Sequence, residues 1–219
     1  MIVILAAMKK EASALIENFD EKRQFSFAGK TAYEGKLFGK NVILAITGIG
    51  KVSAAITAQA AIDAFSPEYV LNFGTAGGLS GEVSPRNFYA VAECCQHDFD
   101  LTAIDDVSVG YIQDYDRVFF PAETEGLNFL PKIKLATADK FTHEQKDMAT
   151  VKKLGCSVTD MEGAAIAQTC LSNGVKFFCI KAISDVLGSG IQAAEFNGNM
   201  SYIRAEFPAV IKKVLDSVL

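Results

Sequence analysis

Only two histidines occur in the 219 residues, and neither has a companion that suggests a metal. His143 in "HEQKD" lacks the second histidine of a zinc-protease helix, and His97 in "HDFD" has no neighbouring histidine. Positive charge is also short. Lys and Arg total 21 against 26 Asp and Glu, a formal net charge of −5. That balance gives no basic footprint for phosphate-driven nucleic-acid binding. Long apolar runs are missing as well. "MIVILAAM" meets charge at Lys9 and carries neither a basic leader nor a cleavage site, so it reads as a buried first strand rather than a signal peptide. No run reaches the roughly 18 residues of a membrane-spanning helix. The five cysteines are odd in number and follow no metal-like spacing, which points to buried reduced thiols in a cytoplasmic protein. Neither a metal nor a cofactor is expected.

Half of the residues are hydrophobic and 21% are charged, the composition of a globular protein. No repeat, low-complexity tract or linker divides the chain, so residues 1–219 are expected to form one domain. Strand-like and helix-like runs alternate. "MIVILAA" precedes "KKEASALIENF", in which Ala12, Leu15 and Ile16 share a helical face. "TAYEGKLFGKNVILAIT" reads as a hairpin turning near Gly39-Lys40. "KVSAAITAQAAIDAF" is an alanine-rich helix, "EYVLNF" a strand, and "GTAGGLSG" a glycine-rich loop. "NFYAVAECC", "KIKLATA", "CSVTDM" and "KFFCIKAIS" are further strands. "HEQKDMATVKKL" and "EGAAIAQTCL" are helices, and a last helix is expected from about Met200 to the end. The polar Asp98–Asn128 segment reads as a long loop or lid. This alternation predicts an α/β fold, a three-layer αβα sandwich around a mixed, mainly parallel sheet.

The acids mark the candidate site. Glu11, Glu162 and Asp185 each follow a strand-like run, and open α/β sheets bind ligands at the carboxyl ends of their strands. "GTAGG" (Gly74–Gly78) follows a fourth such run and allows close backbone approach. Each acid alone is accounted for by a helix start or a turn cap; their coincidence at strand ends favours one pocket. "GIGK" (Gly48–Lys51) lacks the spacing of a phosphate loop and reads as the turn opening the alanine-rich helix.

"AAMKKEA", "TGIGKVSAA", "NFGTAGGL", "DMEGAAIA" and "KAISDV" occur in the order found in the nucleoside phosphorylase/nucleosidase superfamily. Over nearly its whole length the chain resembles the 5′-methylthioadenosine/S-adenosylhomocysteine nucleosidases. The resemblance implies hydrolysis of an N-glycosidic bond with release of adenine. It implies that Asp185 is the general acid at adenine N7, oriented by Ser184, and that Glu11 positions the attacking water. Glu162, beside Met161, matches the residue that grips the ribose hydroxyls. Phe141 corresponds to the aromatic stacked on adenine and Thr142 to the backbone reading its edge, while Thr75, Ala76 and Gly77 line the ribose and base. Met8, Ile49, Leu101 and Ile104 match the apolar 5′-thioalkyl pocket. The last two come from a neighbouring subunit in the family, which implies a homodimer.

The chain departs from the family in three places. Lys181 stands where nucleosidases commonly carry arginine, "EVSPRNFYAV" lacks the usual Val-Gly-Asp, and "VLGSGIQAAEF" offers only Phe196 as the aromatic near the 5′ group. Water suits the nucleophile's place better than phosphate, because the "YVLNF" strand carries no arginine and Glu11 repels an anion. Three alternatives stay open: a phosphorylase of the same fold, a hydrolase of another purine nucleoside such as futalosine, and a silent nucleoside-binding relative. Asp160 is left without a role.

Overall fold

In the computed structural model, which describes residues 1–218, β1 (Ile2–Ala6) is buried on both faces, as its unbroken apolar sequence requires. Successive side chains of a strand point to opposite faces. Val3 and Leu5 accordingly pack in one core with α2 (Lys51–Phe65) and α4 (Gly163–Ser172). Ile2, Ile4 and Ala6 pack in another with α1 (Lys9–Glu17) and α5 (Gln192–Val218). Ala54, Ala58 and Ala61 of α2 and Ala164 and Ala167 of α4 are wholly buried or nearly so, and their small side chains let these helices approach closely. Each buried Ile or Leu of β1 contributes about 1.5–3 kcal/mol of transfer free energy.

β1 pairs in parallel with β4 (Lys40–Ile46) on one side and β5 (Tyr69–Gly78) on the other. Beyond β4 lie β3 (Lys30–Leu37) and β2 (Phe19–Phe27), both antiparallel. Beyond β5 the sheet contains β10 (Lys176–Val186), β6 (Phe88–Gln96), β8 (Lys132–Thr137) and β9 (Val158–Asp160), and the short β7 (Phe120–Pro121) pairs with β6. Since β5 pairs with both β9 and β10, this part closes on itself as a ring. α3 (Gln145–Lys153) precedes β9. No described helix is long and apolar enough to cross a membrane.

The sheet is mixed, as expected, and its strand pairings divide equally, five parallel and five antiparallel among the described residues. The antiparallel share comes from the tight β2–β3–β4 meander, from the pairs β5–β9 and β6–β10 of the ring, and from the short β7 on β6. β2 gives no strand signal in the sequence because Asp20, Glu21, Lys22 and Arg23 run consecutively and most of its residues are exposed. Several expectations change. The "GTAGG" stretch is strand, not loop. A Cβ at Gly78 would lie 2.3 Å from Val83 and one at Gly77 2.8 Å from Leu187, so the glycines mark close packing inside β5. α5 begins at Gln192, earlier than expected. The Asp98–Asn128 segment is largely irregular, with one 3₁₀ turn at Gln113–Tyr115, and Phe120 pins its later part in the core.

Candidate active site

Four stretches meet in a cleft of about 260 Å³: the end of β1 with the start of α1, the glycine-rich half of β5, the residues after β9, and the end of β10. Asp185 lies within β10 rather than after it. The register shifts between Ile183 and Asp185, leaving Ser184 as an extra residue, and such a bulge re-aims the side chain beside it.

Glu11 sits in the first turn of α1 and is almost wholly buried. Its Oε1 accepts hydrogen bonds from the Thr75 amide and hydroxyl, both at 2.8 Å, and its Oε2 accepts one from the Met8 amide at 3.2 Å. Burial pushes its pKa up, while the Thr75 donors and the Lys181 charge oppose that rise. Gly74 leaves room for this carboxylate, since a Cβ there would lie 3.2 Å from Oε1.

Glu162 directly precedes α4, and its Oε1 accepts the Gly50 amide at 2.9 Å. "GIGK" is thus the turn that opens α2, as expected, and it also delivers a donor to the cleft. Burial and the neighbouring Asp160 charge push the Glu162 carboxyl up to about 7, against the pull of Lys181.

Asp160 acquires a definite place. Its carboxylate accepts bonds from the Thr137 hydroxyl at 2.6 Å and the Gly163 amide at 2.8 Å, and pairs with Lys181 Nζ at 2.9 Å. Burial works against the Lys181 ammonium, but Asp160 and Glu162 more than offset it and hold its pKa above the usual lysine range. One buried cation therefore serves three acids.

Asp185 accepts a hydrogen bond from its neighbour's Ser184 hydroxyl on Oδ1, while its buried Oδ2 has no hydrogen-bond partner among the described residues. Burial raises its pKa, with the Ser184 bond and the nearby Gln192 amide acting in the opposite sense. Gly77 stands beside it, and a Cβ there would come within 3.0 Å of Oδ2. A carboxyl so placed can hold a proton and offer it to a ligand atom.

The expected Met8, Ile49, Thr75, Ala76, Gly77, Phe141, Thr142, Met161 and Ser184 all line the same cleft, as do the three acids. Phe141 is 46% exposed and meets Phe196, also in the lining, edge-on at 6.4 Å between centroids. Leu101 and Ile104 do not line it in this chain. Leu101 borders a separate recess with Asp105 and Tyr111, and Ile104 is 77% exposed. Ala7, Lys10, Lys140, Thr159 and Gln192, which the sequence alone does not single out, also line the cleft. The Gln192 amide donates to the Thr142 carbonyl at 2.9 Å, a link across 50 residues that local sequence does not signal. No arginine lines the cleft, and no group of His, Cys, Asp and Glu among the described residues is arranged to hold a metal ion. The five cysteines are free thiols, all buried.

Residues 1–216 match the model of the phosphorylase superfamily. The 5′-methylthioadenosine/S-adenosylhomocysteine nucleosidase of Anoxybacillus flavithermus is 32% identical, over 85% of this chain and 86% of its own. The crystal structure of the nucleosidase of that name from Colwellia psychrerythraea, in complex with adenine, superposes with a TM-score of 0.90 at 27% identity, covering 99% of this chain and 95% of that one. Futalosine hydrolase of Helicobacter pylori gives 0.90 at 26% identity, covering 99% and 97%. The chain belongs to the phosphorylase superfamily and, within it, to the family of the 5′-methylthioadenosine/S-adenosylhomocysteine nucleosidases.

Proposed function

We propose that the cleft hydrolyses the N-glycosidic bond of 5′-methylthioadenosine and S-adenosylhomocysteine, releasing adenine and the 5-thioribose derivative. The observation that carries this reading is the Asp185 carboxyl: buried, raised in pKa, and with one oxygen unpartnered beside Gly77. It donates its proton to adenine N7, so that the base leaves neutral as the C1′–N9 bond breaks. Ser184 fixes the orientation of the acid.

Glu162 accepts hydrogen bonds from the ribose hydroxyls, and its negative charge stabilises the positive charge that develops on the sugar ring. Glu11 is held by three donors that favour its ionised form, and it positions the water and takes its proton as oxygen bonds to C1′. Phe141 stacks on the base and Thr142 meets its edge. Thr75, Ala76 and Gly77 line the ribose and base, with Met161 beside the sugar. Met8, Ile49 and Phe196 receive the 5′ substituent. A phosphorylase needs a cationic seat for its anion; the lining's lysines are Lys10 and Lys140, and Lys140 is engaged by Asp147 at 2.6 Å.

In this reading the working unit is a cytoplasmic homodimer, in which Leu101 and Ile104 of each copy close the 5′ pocket of the other. The exposure of Ile49, Val52, Ile56 and Ile104 supports that arrangement. Helices packed on both faces of β1 are the three-layer αβα part of the fold. Futalosine hydrolysis is the second reading, favoured by the structural similarity reported above. Parallel incubation with methylthioadenosine, S-adenosylhomocysteine and futalosine, with separation of the freed bases, tests the assignment. Release of adenine from the first two supports it, and turnover confined to futalosine overturns it.

A further inference from the structure

The segment Asp139–Thr142 carries the two residues assigned to the base, and the residues just after β6 grip it from behind. The Asp98 carboxylate accepts the Asp139 amide at 2.9 Å through Oδ2 and pairs with Lys51 Nζ at 2.6 Å through Oδ1. His97 holds the other end. Its amide donates to the Thr137 carbonyl at 3.0 Å, and its ring Nε2 lies 3.4 Å from the Thr142 hydroxyl. The imidazole is buried, 4% exposed, and lines no part of the cleft.

A buried histidine that serves only packing ordinarily finds partners for both ring nitrogens. Among the described residues Nδ1 has none, and neither does the buried Oδ2 of Asp147 on α3. The imidazole's hydrogen bonding is thus directed to Thr142 alone, a residue 2% exposed whose carbonyl is already held by Gln192. The charges facing the ring come from every element around it: Asp98 on its own loop, Asp147 on α3, Lys140 on the base segment and Lys51 on α2. Burial disfavours the imidazolium and keeps the ring neutral, able to share one proton with a hydroxyl.

We propose that His97 is a positioning residue for adenine recognition, setting the height of Thr142 against the base edge without touching the nucleoside. This rests on the nucleosidase reading, in which Phe141 and Thr142 receive adenine. A single net hydrogen bond is worth about 1 kcal/mol, or about fivefold in affinity.

The test measures adenine affinity by calorimetry, KM and kcat with methylthioadenosine, and the thermal midpoint, for His97→Phe and His97→Gln. His97→Phe keeps the ring shape and loses the nitrogens; it is expected to raise the adenine Kd and the KM about fivefold, with kcat within about twofold. His97→Gln restores a polar group and is expected to recover most of that loss. Thr142→Val, which removes the hydroxyl from the other side, should match His97→Phe and stands in for it if that variant does not fold. Wild-type affinity in His97→Phe or Thr142→Val, or an equal defect in Gln and Phe, overturns the inference alone. A wild-type protein that neither binds nor releases adenine overturns the nucleosidase reading together with it.

Discussion

Lys181 Nζ lies 2.9 Å from Asp160 Oδ2, and the two side chains are only 2% and 1% exposed. This pair stands beneath both Glu11 and Glu162, whose charges the same ammonium offsets. Asp160 is therefore a counter-ion that also ties the start of α4 through the Gly163 amide. Removing one partner of such a pair leaves a buried charge uncompensated, at a cost of about 3–5 kcal/mol. Lys181→Met should lower stability in urea by that amount, and Asp160→Asn combined with it should recover part of the loss. Lys181→Arg, which supplies the family's usual residue, should fold with little change. A Lys181→Met protein as stable as wild type would remove the pair from the account.

The Glu162 carboxyl, raised to about 7, links function and stability with opposite signs. In the role proposed for Glu162 the ionised form is the better acceptor of ribose hydroxyls, so KM should fall as pH rises through 7. The folded protein holds the Glu162 proton more tightly than the unfolded chain, whose value lies near 4.5. Between those limits the native state binds more protons, so stability of the free protein should fall as pH rises across the window. Glu11 and Asp185, also raised, add slopes of the same sign. Lys181, raised as a cation, contributes stability that is lost only at alkaline pH, beyond this window. Glu162→Gln should flatten both profiles, read as KM and as thermal midpoint between pH 5 and pH 8. A wild-type KM insensitive to pH across that range would contradict the assignment of Glu162.

Gly77 and Asp185 make a steric prediction. A methyl at residue 77 would meet Leu187 at 2.8 Å and the Asp185 carboxyl at 3.0 Å. Gly77→Ala should therefore displace the acid and lower kcat by roughly tenfold to a hundredfold, since small misplacements of a reacting group carry costs of that order. The φ of Gly77 lies outside the positive range, so the loss would report on space and not on backbone strain. Activity equal to wild type would show that the acid has freedom the geometry denies it.

Much of this was legible in the chain, for reasons that differ by element. β1 is legible as an unbroken apolar run and α2 as an alanine-rich one, and α2 occupies the expected Lys51–Phe65. Twelve of the fourteen residues expected at the site line one cleft. What escaped depends on distant partners. Asp160 has no visible purpose until β10 brings Lys181 beside it, and Gln192 none until α5 reaches Thr142. "GTAGG" looks like a turn because glycine permits one; only the neighbouring Val83 and Leu187 reveal a strand with no room for side chains. α5 opens on the good helix formers Gln192–Glu195, but Asn197, Gly198 and Asn199 interrupt them, so propensity places its start too late. Leu101 and Ile104 lie outside this cleft, and their assigned place depends on the proposed dimer.

The general-acid role proposed for Asp185 separates chemistry from binding. Asp185→Asn keeps the shape and a hydrogen-bonding group but cannot deliver the proton. Its kcat should fall by about 10²–10⁴-fold, the usual contribution of a general acid, with the Kd for methylthioadenosine changed little. A kcat near wild type would take Asp185 out of the mechanism.

The central claim is that water, not phosphate, takes the sugar. The direct measurement is incubation of the wild-type protein with methylthioadenosine in phosphate-free buffer, with both products identified by mass. The account predicts adenine and free methylthioribose in equal amounts, at a rate that added phosphate does not raise. Formation of a ribose 1-phosphate, dependent on added phosphate, would contradict it.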